Sequence, residues 1–347
     1  MGGPRVVVVG AGPAGVRAAE ALVQAGLRPA VVYDHARDGG QIYRRQPEGF
    51  TRTYATLYGK EAERARLLHG AFAAIRGRID DRPSALAWNV WENELHVVSG
   101  ERSTRLQFDA LIICSGAVDR LFPVAGWHLA GTYSLGAAQI ALKAQGCAIG
   151  RNIVLAGTGP LLYLVAKQYV MAGATVAAVL DTSAFGLRIK ALPGLLTRPG
   201  TFAKGVGLVA ALRRAGVPME TGITPVEITG GEEFGVTGFA WRGRDGKPRR
   251  VDCDAVGLGY HVSPETQLAD LAGCRFEFDG LARQWLPVLD ADGRSSRANV
   301  YLAGDGASVA GADAAELAGR LAALAALHDL GQVVDPGEVV SLRRRLG

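Results

Sequence analysis

Arg5-Val6-Val7-Val8-Val9-Gly10-Ala11-Gly12-Pro13-Ala14-Gly15 is the stretch on which the reading of this chain turns. Four valines end in a glycine turn, and residues 16–25 continue with alanines, Leu22 and Glu20 at helical spacing, which predicts strand, tight turn and helix. A second apolar run, Ala30-Val31-Val32-Tyr33, ends in Asp34, 24 positions after Gly10. The result is a βαβ unit with a carboxylate at the tip of its second strand. Each glycine does something different. Gly10 makes the tight turn, Gly12 lets a pyrophosphate approach the backbone, and Gly15 allows helix and strand to pack closely. The helix start opened by Pro13 and Ala14 offers free amides and a positive dipole end to an anion, while Asp34 would accept from ribose hydroxyls.

The pattern recurs. Asn152 to Ala156 lead into Gly157-Thr158-Gly159-Pro160-Leu161-Leu162, and a run from Ala174 to Leu180 ends in Asp181, again 24 positions after the first glycine. Two such units, 147 residues apart, predict an internal duplication rather than a single Rossmann domain. The second copy carries Leu162 where the third glycine belongs, so its helix must stand away from the strand or repack locally. This leaves two readings open: an NAD(P) site, in which Asp181 favours NADH over NADPH, or a domain that is structural or takes only an adenine nucleotide.

Outside these units, Ala110 to Gly116 and Ala255 to Tyr260 read as buried strands where the chain changes domain. Residues 202–216 read as a helix, 217–251 as a strand meander, and Asn299 to Leu302 as a strand before Gly304-Asp305-Gly306 and an alanine-rich helix over 312–327. The expected fold is α/β, with two nested Rossmann-like dinucleotide-binding domains. An FAD domain (1–117 and 253–347) is interrupted by an NAD(P)-like domain (118–252).

The composition fits this plan: 347 residues, 48% hydrophobic, with 47 glycines, can bury a large core. No apolar run approaches the roughly 20 residues of a membrane span. The start of the chain has no charged-then-apolar leader, so a cytoplasmic location is the expectation. A net charge of +5, without a basic stripe, argues against nucleic-acid binding; Arg343-Arg344-Arg345 and Arg249-Arg250 read as solvated surface. Cys114, Cys147, Cys253 and Cys274 form no C-x-x-C pair and no metal-ligand spacing, so each reads as a small buried hydrophobe and no metal site is expected.

Two shorter motifs sit where a long cofactor would continue. Gly39-Gly40-Gln41-Ile42-Tyr43 follows the ribose carboxylate closely and is either a plain loop or a backbone track for the rest of the ligand. Gly304-Asp305-Gly306 is either an Asp-Gly turn that caps a helix or a carboxylate aimed at a polar chain such as a ribityl group. His35, His69, His128 and His261 fall into no triad or metal pattern, and spacing identifies no catalytic acid or base. That silence suits a flavoprotein, whose cofactor carries the chemistry.

The sequence resembles the flavoprotein subunit shared by opine oxidases, bacterial hydrogen cyanide synthase and heteromeric proline or D-hydroxyproline dehydrogenases. The matching stretches run from the Gly15 motif through Gly39-Gly40-Gln41-Ile42-Tyr43-Arg44, 111–117 with Asp119-Arg120, Ala137-Ala138-Gln139 and 143–146. They continue through 154–162, Cys253-Asp254, 303–307, 311–315 and Gly319-Arg320. The glycine motifs are common to flavoproteins similar to thioredoxin reductase, whereas the 39–44 and 159–162 strings are more specific.

The resemblance implies FAD in an extended pose on Gly10, Gly12, Pro13, Ala14 and Gly15, with Asp34 and its neighbour His35 at the ribose. Gly39, Gly40 and Gln41 would lie near the flavin, Ser115 and Gly116 beside the pyrophosphate, and Gly304, Asp305 and Ala312 along the ribityl chain. It also implies a relay role, in which a second, amine-oxidising flavoprotein subunit passes electrons to this chain, sometimes through FMN. Many relatives continue past the Arg343 region into a cysteine-rich domain holding a [2Fe-2S] cluster. No such cysteines occur here, which implies a separate small subunit or a shorter branch. The missing dithiol disfavours thioredoxin-reductase chemistry. The alternatives are a self-sufficient NADH-dependent flavin reductase and a scaffold with structural nucleotides.

Overall fold

The computed structural model describes residues 3–184, 186 and 199–347, and the chain divides into two units. The first comprises Met1–Arg45, Thr51–Val118 and Ser263–Gly347; the second comprises Gln46–Phe50 and Asp119–Val262.

In the first unit, β1 (Val6–Val9), β2 (Ala30–Val32), β3 (Asp80–Arg82), β7 (Ala110–Ile113) and β20 (Val300–Leu302) form a parallel sheet of order β20-β7-β1-β2-β3. The valines of β1 show why an unbroken apolar run is needed here. Val6 and Val8 enter the core on one face with Val31 and Ile112, while Val7 and Val9 enter the core on the other with Val32, Leu111 and Ile113. Successive strand residues point to opposite faces, so a sheet covered on both sides needs every residue apolar. Helices α1 (Pro13–Gln24) and α3 (Ala62–Ile75) contribute Leu22 and Phe72 to the first core. The antiparallel strands β4 (Leu86–Trp91), β5 (Glu94–Ser99) and β6 (Arg102–Gln107) supply Val90, Leu95 and Val97 to the second.

The second unit repeats the plan. Strands β9 (Thr132–Ser134), β10 (Asn152–Thr158), β11 (Thr175–Asp181), β12 (Met219–Thr221) and β16 (Ala255–Tyr260) form a parallel sheet of order β12-β11-β10-β16-β9. The glycine strand is central in both sheets, and each unit inserts an antiparallel three-stranded meander before the next core strand. Here the meander is β13 (Thr224–Gly231), β14 (Gly235–Arg242) and β15 (Pro248–Asp252).

The return to the first unit falls at Ser263, ten residues later than the expected 253. The physical reason is β16, which pairs with β10 along its whole length and so belongs to the second sheet. Residues 46–50 also group with the second unit. Cys147 is exposed rather than buried, because it follows the left-handed Gly146 in a loop, while the other three cysteines are buried.

The tail arginines are exposed, as expected of solvated surface, and one of them is also paired. Arg343 makes a bidentate pair with Asp292 at 2.6 Å, and Arg294 bonds both Asp292 and Asp329. Arg343 and then Arg294 hold the Asp292 carboxyl below its usual range, and Arg294 first of all holds Asp329 at about 2. Both carboxylates therefore contribute stability that is complete above the ordinary carboxylate range and lost as pH falls through their depressed values. An acid titration followed by proteolysis is expected to release the terminal helix Pro336–Leu346 well below pH 4, and an Arg343→Met variant to release it at higher pH.

Candidate functional site

The first unit brings the glycine motif, the 39–44 segment and the Gly304 turn together around the start of α1. Gly10 takes φ +104°, and a Cβ there would lie 2.3 Å from the Cys114 carbonyl oxygen on the neighbouring strand. Gly15 packs against the turn so tightly that a Cβ would meet the Gly10 oxygen at 1.8 Å. The helix begins at the N-cap Gly12, which has no side chain to cap it, with Pro13 in the first helical turn. Helix-start amides thus remain available to an anion, as pyrophosphate recognition needs. At the tip of β2 the Asp34 side chain is 61% exposed, open to ribose hydroxyls. A glycine cradle, an uncapped helix start and an open carboxylate fit the diphosphate and ribose of FAD.

The Gly39–Gln41 segment lies on the turn itself. The Gly39 amide donates to the Ala11 carbonyl at 2.8 Å, and a Cβ on Gly40 would lie 2.8 Å from the Gly12 Cα. What fixes this course is a set of residues that spacing did not reveal. Asp38 pairs with Arg45 through two bonds of 3.0 Å. Buried His69 contacts the Tyr43 carbonyl through Nε2 at 2.8 Å and the Tyr54 hydroxyl through Nδ1 at 2.9 Å. A carbonyl only accepts, so Nε2 carries the proton, and Nδ1 is left to accept from Tyr54 in the neutral ring. Burial, then the Arg45 cation, lower the pKa of His69 and favour that neutral form. Tyr58 closes the cluster by donating to the Arg44 carbonyl at 2.8 Å. No sequence pattern links position 69 to position 43; the fold of α3 against this loop does.

The remaining residues of the candidate FAD site have partners of their own. Ser115 donates to the Glu265 carbonyl at 2.6 Å, and the Glu265 amide donates to the Gly116 carbonyl at 2.9 Å, so Ser115-Gly116 anchors the returning chain. One oxygen of Asp305 accepts from the amides of Ala310 and Gly311 at 3.1 Å, just before the helix that starts at Ala312. Asp305 therefore braces the loop it sits in. Gly304 lies beside a cavity of about 200 Å³ lined also by Leu302, Ala307 and Ala315.

The second unit repeats the turn but not the open carboxylate. A Cβ on Gly157 would lie 1.8 Å from the Gly259 oxygen, and Gly159 caps the helix α5 (Pro160–Met171) with Pro160 in its first turn. Leu162 is fully buried in a cluster that includes Val165, Leu135 and Leu155. Asp181 is only 2% exposed. Its Oδ2 accepts from the Tyr163 hydroxyl at 2.6 Å, and its Oδ1 accepts from the Ser183 amide at 2.7 Å. The ring of His261 lies 3.0 Å from where a Gly159 Cβ would stand. A cavity of about 780 Å³ in this unit is lined by Tyr163, Arg213, Glu220 and Arg249, and neither Gly157 nor Gly159 lines it.

The four free cysteines hold no disulfide. Burial pushes the thiols of Cys114 and Cys253 up to about 12, which keeps them protonated and poor nucleophiles near neutrality. Among the described residues, no group of three metal-ligating side chains occurs, and no helix is long and apolar enough to cross a membrane.

Two parallel sheets, each with a glycine turn feeding a helix, define a protein with two Rossmann-like dinucleotide-binding-type domains. The chain belongs to the pyridine nucleotide-disulphide oxidoreductase family, which it matches over residues 4–322. It is 38% identical to the A subunit of opine oxidase from Rhizobium meliloti, over 94% of this chain and 63% of that protein. It is 36% identical to the corresponding opine oxidase polypeptide of Agrobacterium tumefaciens (98% and 68%), and 33% identical to the HcnB subunit of hydrogen cyanide synthase from Pseudomonas protegens (98% and 73%). The chain thus spans roughly two thirds of the length of these relatives. In fold it is similar to L-proline dehydrogenase from P. horikoshii, with TM-score 0.68 and 18% identity over 99% of this chain and 58% of that one. The T. acidophilum thioredoxin reductase aligns with TM-score 0.65 and 20% identity over 93% and 97%.

Proposed function

We propose that this chain is the FAD-bearing electron-transfer subunit of a heteromeric dehydrogenase or oxidase that oxidises a secondary amine or imino acid of the opine, proline or hydroxyproline class. FAD lies along Gly10–Gly15, Asp34, Gly39–Gln41, Ser115-Gly116 and the Gly304–Ala312 turn. A second flavoprotein subunit removes the electrons from the amine; FMN at the subunit interface and a small [2Fe-2S] subunit would extend the path.

The observation that carries this reading is the contrast between the two carboxylates. Asp34 is open and can take a ribose, whereas Asp181 is buried with both oxygens engaged. Breaking the Tyr163 bond to free a buried carboxylate costs on the order of 1–3 kcal/mol, which NADH would have to repay. Reduction by NADH is therefore disfavoured, which favours another electron donor. The relatives named as subunits of opine oxidase and hydrogen cyanide synthase support the same assignment.

The test is an anaerobic spectrum of the purified chain before and after NADH, with bound nucleotides identified after denaturation. FAD that stays oxidised with NADH, and is reduced by amine only when the partner subunit is added, is the expected result. Rapid bleaching by NADH would establish the self-sufficient reductase instead.

A further inference from the structure

We propose that His35 and Arg44 are positioning residues that keep Asp34 free for the cofactor ribose, and that protonation of His35 turns it onto Asp34 and weakens FAD binding. The inference rests on the reading of Gly10–Gly15 with Asp34 as the FAD site.

The geometry is specific. One nitrogen of Arg44, Nη2, lies 2.5 Å from His35 Nε2 and 2.7 Å from Gln41 Oε1. A guanidinium can only donate, so Nε2 of His35 must be unprotonated and accept. The two protons of one Arg44 nitrogen thus tie the residue beside the ribose carboxylate to the residue expected beside the flavin. Arg44 is 8% exposed, and Tyr58 and Tyr43 hold its backbone in the aromatic cluster around His69. A guanidinium buried this deeply keeps one orientation.

The same His35 Nε2 lies 3.5 Å from Asp34 Oδ1. In the neutral ring this nitrogen has no proton to give, so the carboxylate stays available. A proton placed on Nε2 reverses both contacts: it repels Arg44 and donates to Asp34, the group that a ribose hydroxyl needs. The charged groups acting on the ring are Arg44, which opposes protonation, and Asp34, which favours it. Ser84, whose amide donates to the His35 carbonyl, adds no charge. Burial is the largest influence, and with Arg44 it lowers the pKa of His35, so the neutral state prevails near neutrality and yields in acid.

The experiment is a titration of the flavin-free chain with FAD between about pH 8 and pH 5, read by quenching of flavin fluorescence. The wild-type dissociation constant is expected to rise by about tenfold toward the acid end, the size of one unit of pKa difference between free and bound forms. In His35→Gln, whose amide accepts from Arg44 but does not titrate, the dependence should disappear. In Arg44→Met it should move to higher pH, because the opposing cation is gone. A wild-type constant that does not change with pH, or a His35→Gln variant that keeps the full dependence, overturns the inference. If Arg44→Met does not fold, those two titrations still decide. Asp34→Ala separates the two levels: unchanged FAD affinity there removes the site reading itself, whereas weakened binding with a pH-independent wild type removes only the His35–Arg44 switch.

Discussion

A Gly15→Ala chain should purify without flavin colour. The added methyl would lie 1.8 Å from the Gly10 carbonyl oxygen and 2.8 Å from its carbon, both backbone atoms at the turn that receives the pyrophosphate. Neither is the end of a flexible side chain, so α1 must slide along β1 or the turn must open. Overpacking of this kind costs about 3 kcal/mol. If that cost falls on the bound geometry, FAD affinity drops by about a hundredfold. The measurement is FAD titration of the refolded variant alongside the wild type. Affinity within threefold of wild type would mean that the turn adapts and that Gly15 is not needed for the packing assigned to it.

Gly319→Ala is expected to match that effect from the other end of the chain. Gly319 lies on α8 (Ala312–Asp329, following α6, Pro199–Arg214, and α7, Gln267–Leu271), and a Cβ there would lie 2.0 Å from the Ala14 oxygen and 2.6 Å from the Ala14 Cα. The two helices cross at the first turn of α1, the turn whose amides face the candidate pyrophosphate position. Separating them costs about 2–3 kcal/mol by overpacking, and for a domain of this size lowers Tm by roughly 2 to 4 °C per kcal/mol. It also displaces Ala14, so flavin retention should fall together with Tm. Thermal melts of the holo and flavin-free forms distinguish the outcomes. A variant that loses stability but binds FAD normally would show that the α1 start moves independently of α8.

These two glycines mark how far the linear code can be read. Gly15 announces itself through its distance from Gly10 and the valine strand before it, because a strand–turn–helix is local and its steric demands fall within a few residues. The duplication was legible on the same ground: Gly157 and Asp181 repeat the spacing of Gly10 and Asp34, and both units form parallel sheets with the glycine strand in the centre. Gly319, by contrast, is marked only by the family resemblance of Gly319-Arg320; by spacing it looks like any other small residue in an alanine-rich helix until the fold brings it against Ala14.

The candidate site divides along the same line. Spacing puts Asp34 and Asp181 at equivalent strand tips and leaves open whether Asp181 takes a ribose, because it records where a strand ends and not what stands beside that end. Only the tertiary structure separates them: Tyr163 and the Ser183 amide close over Asp181, while Asp34 remains open beside the His35–Arg44 pair. The place of β16 in the second sheet, and hence the later return at Ser263, was hidden for a related reason, since a buried strand reads alike in either sheet. The sequence by itself thus determined the class of fold and the location of its two glycine turns, through short-range periodicity and backbone sterics. Which carboxylate stands open, and what holds the 39–44 segment in place, were decided by side-chain contacts that only the folded packing brings within hydrogen-bond reach.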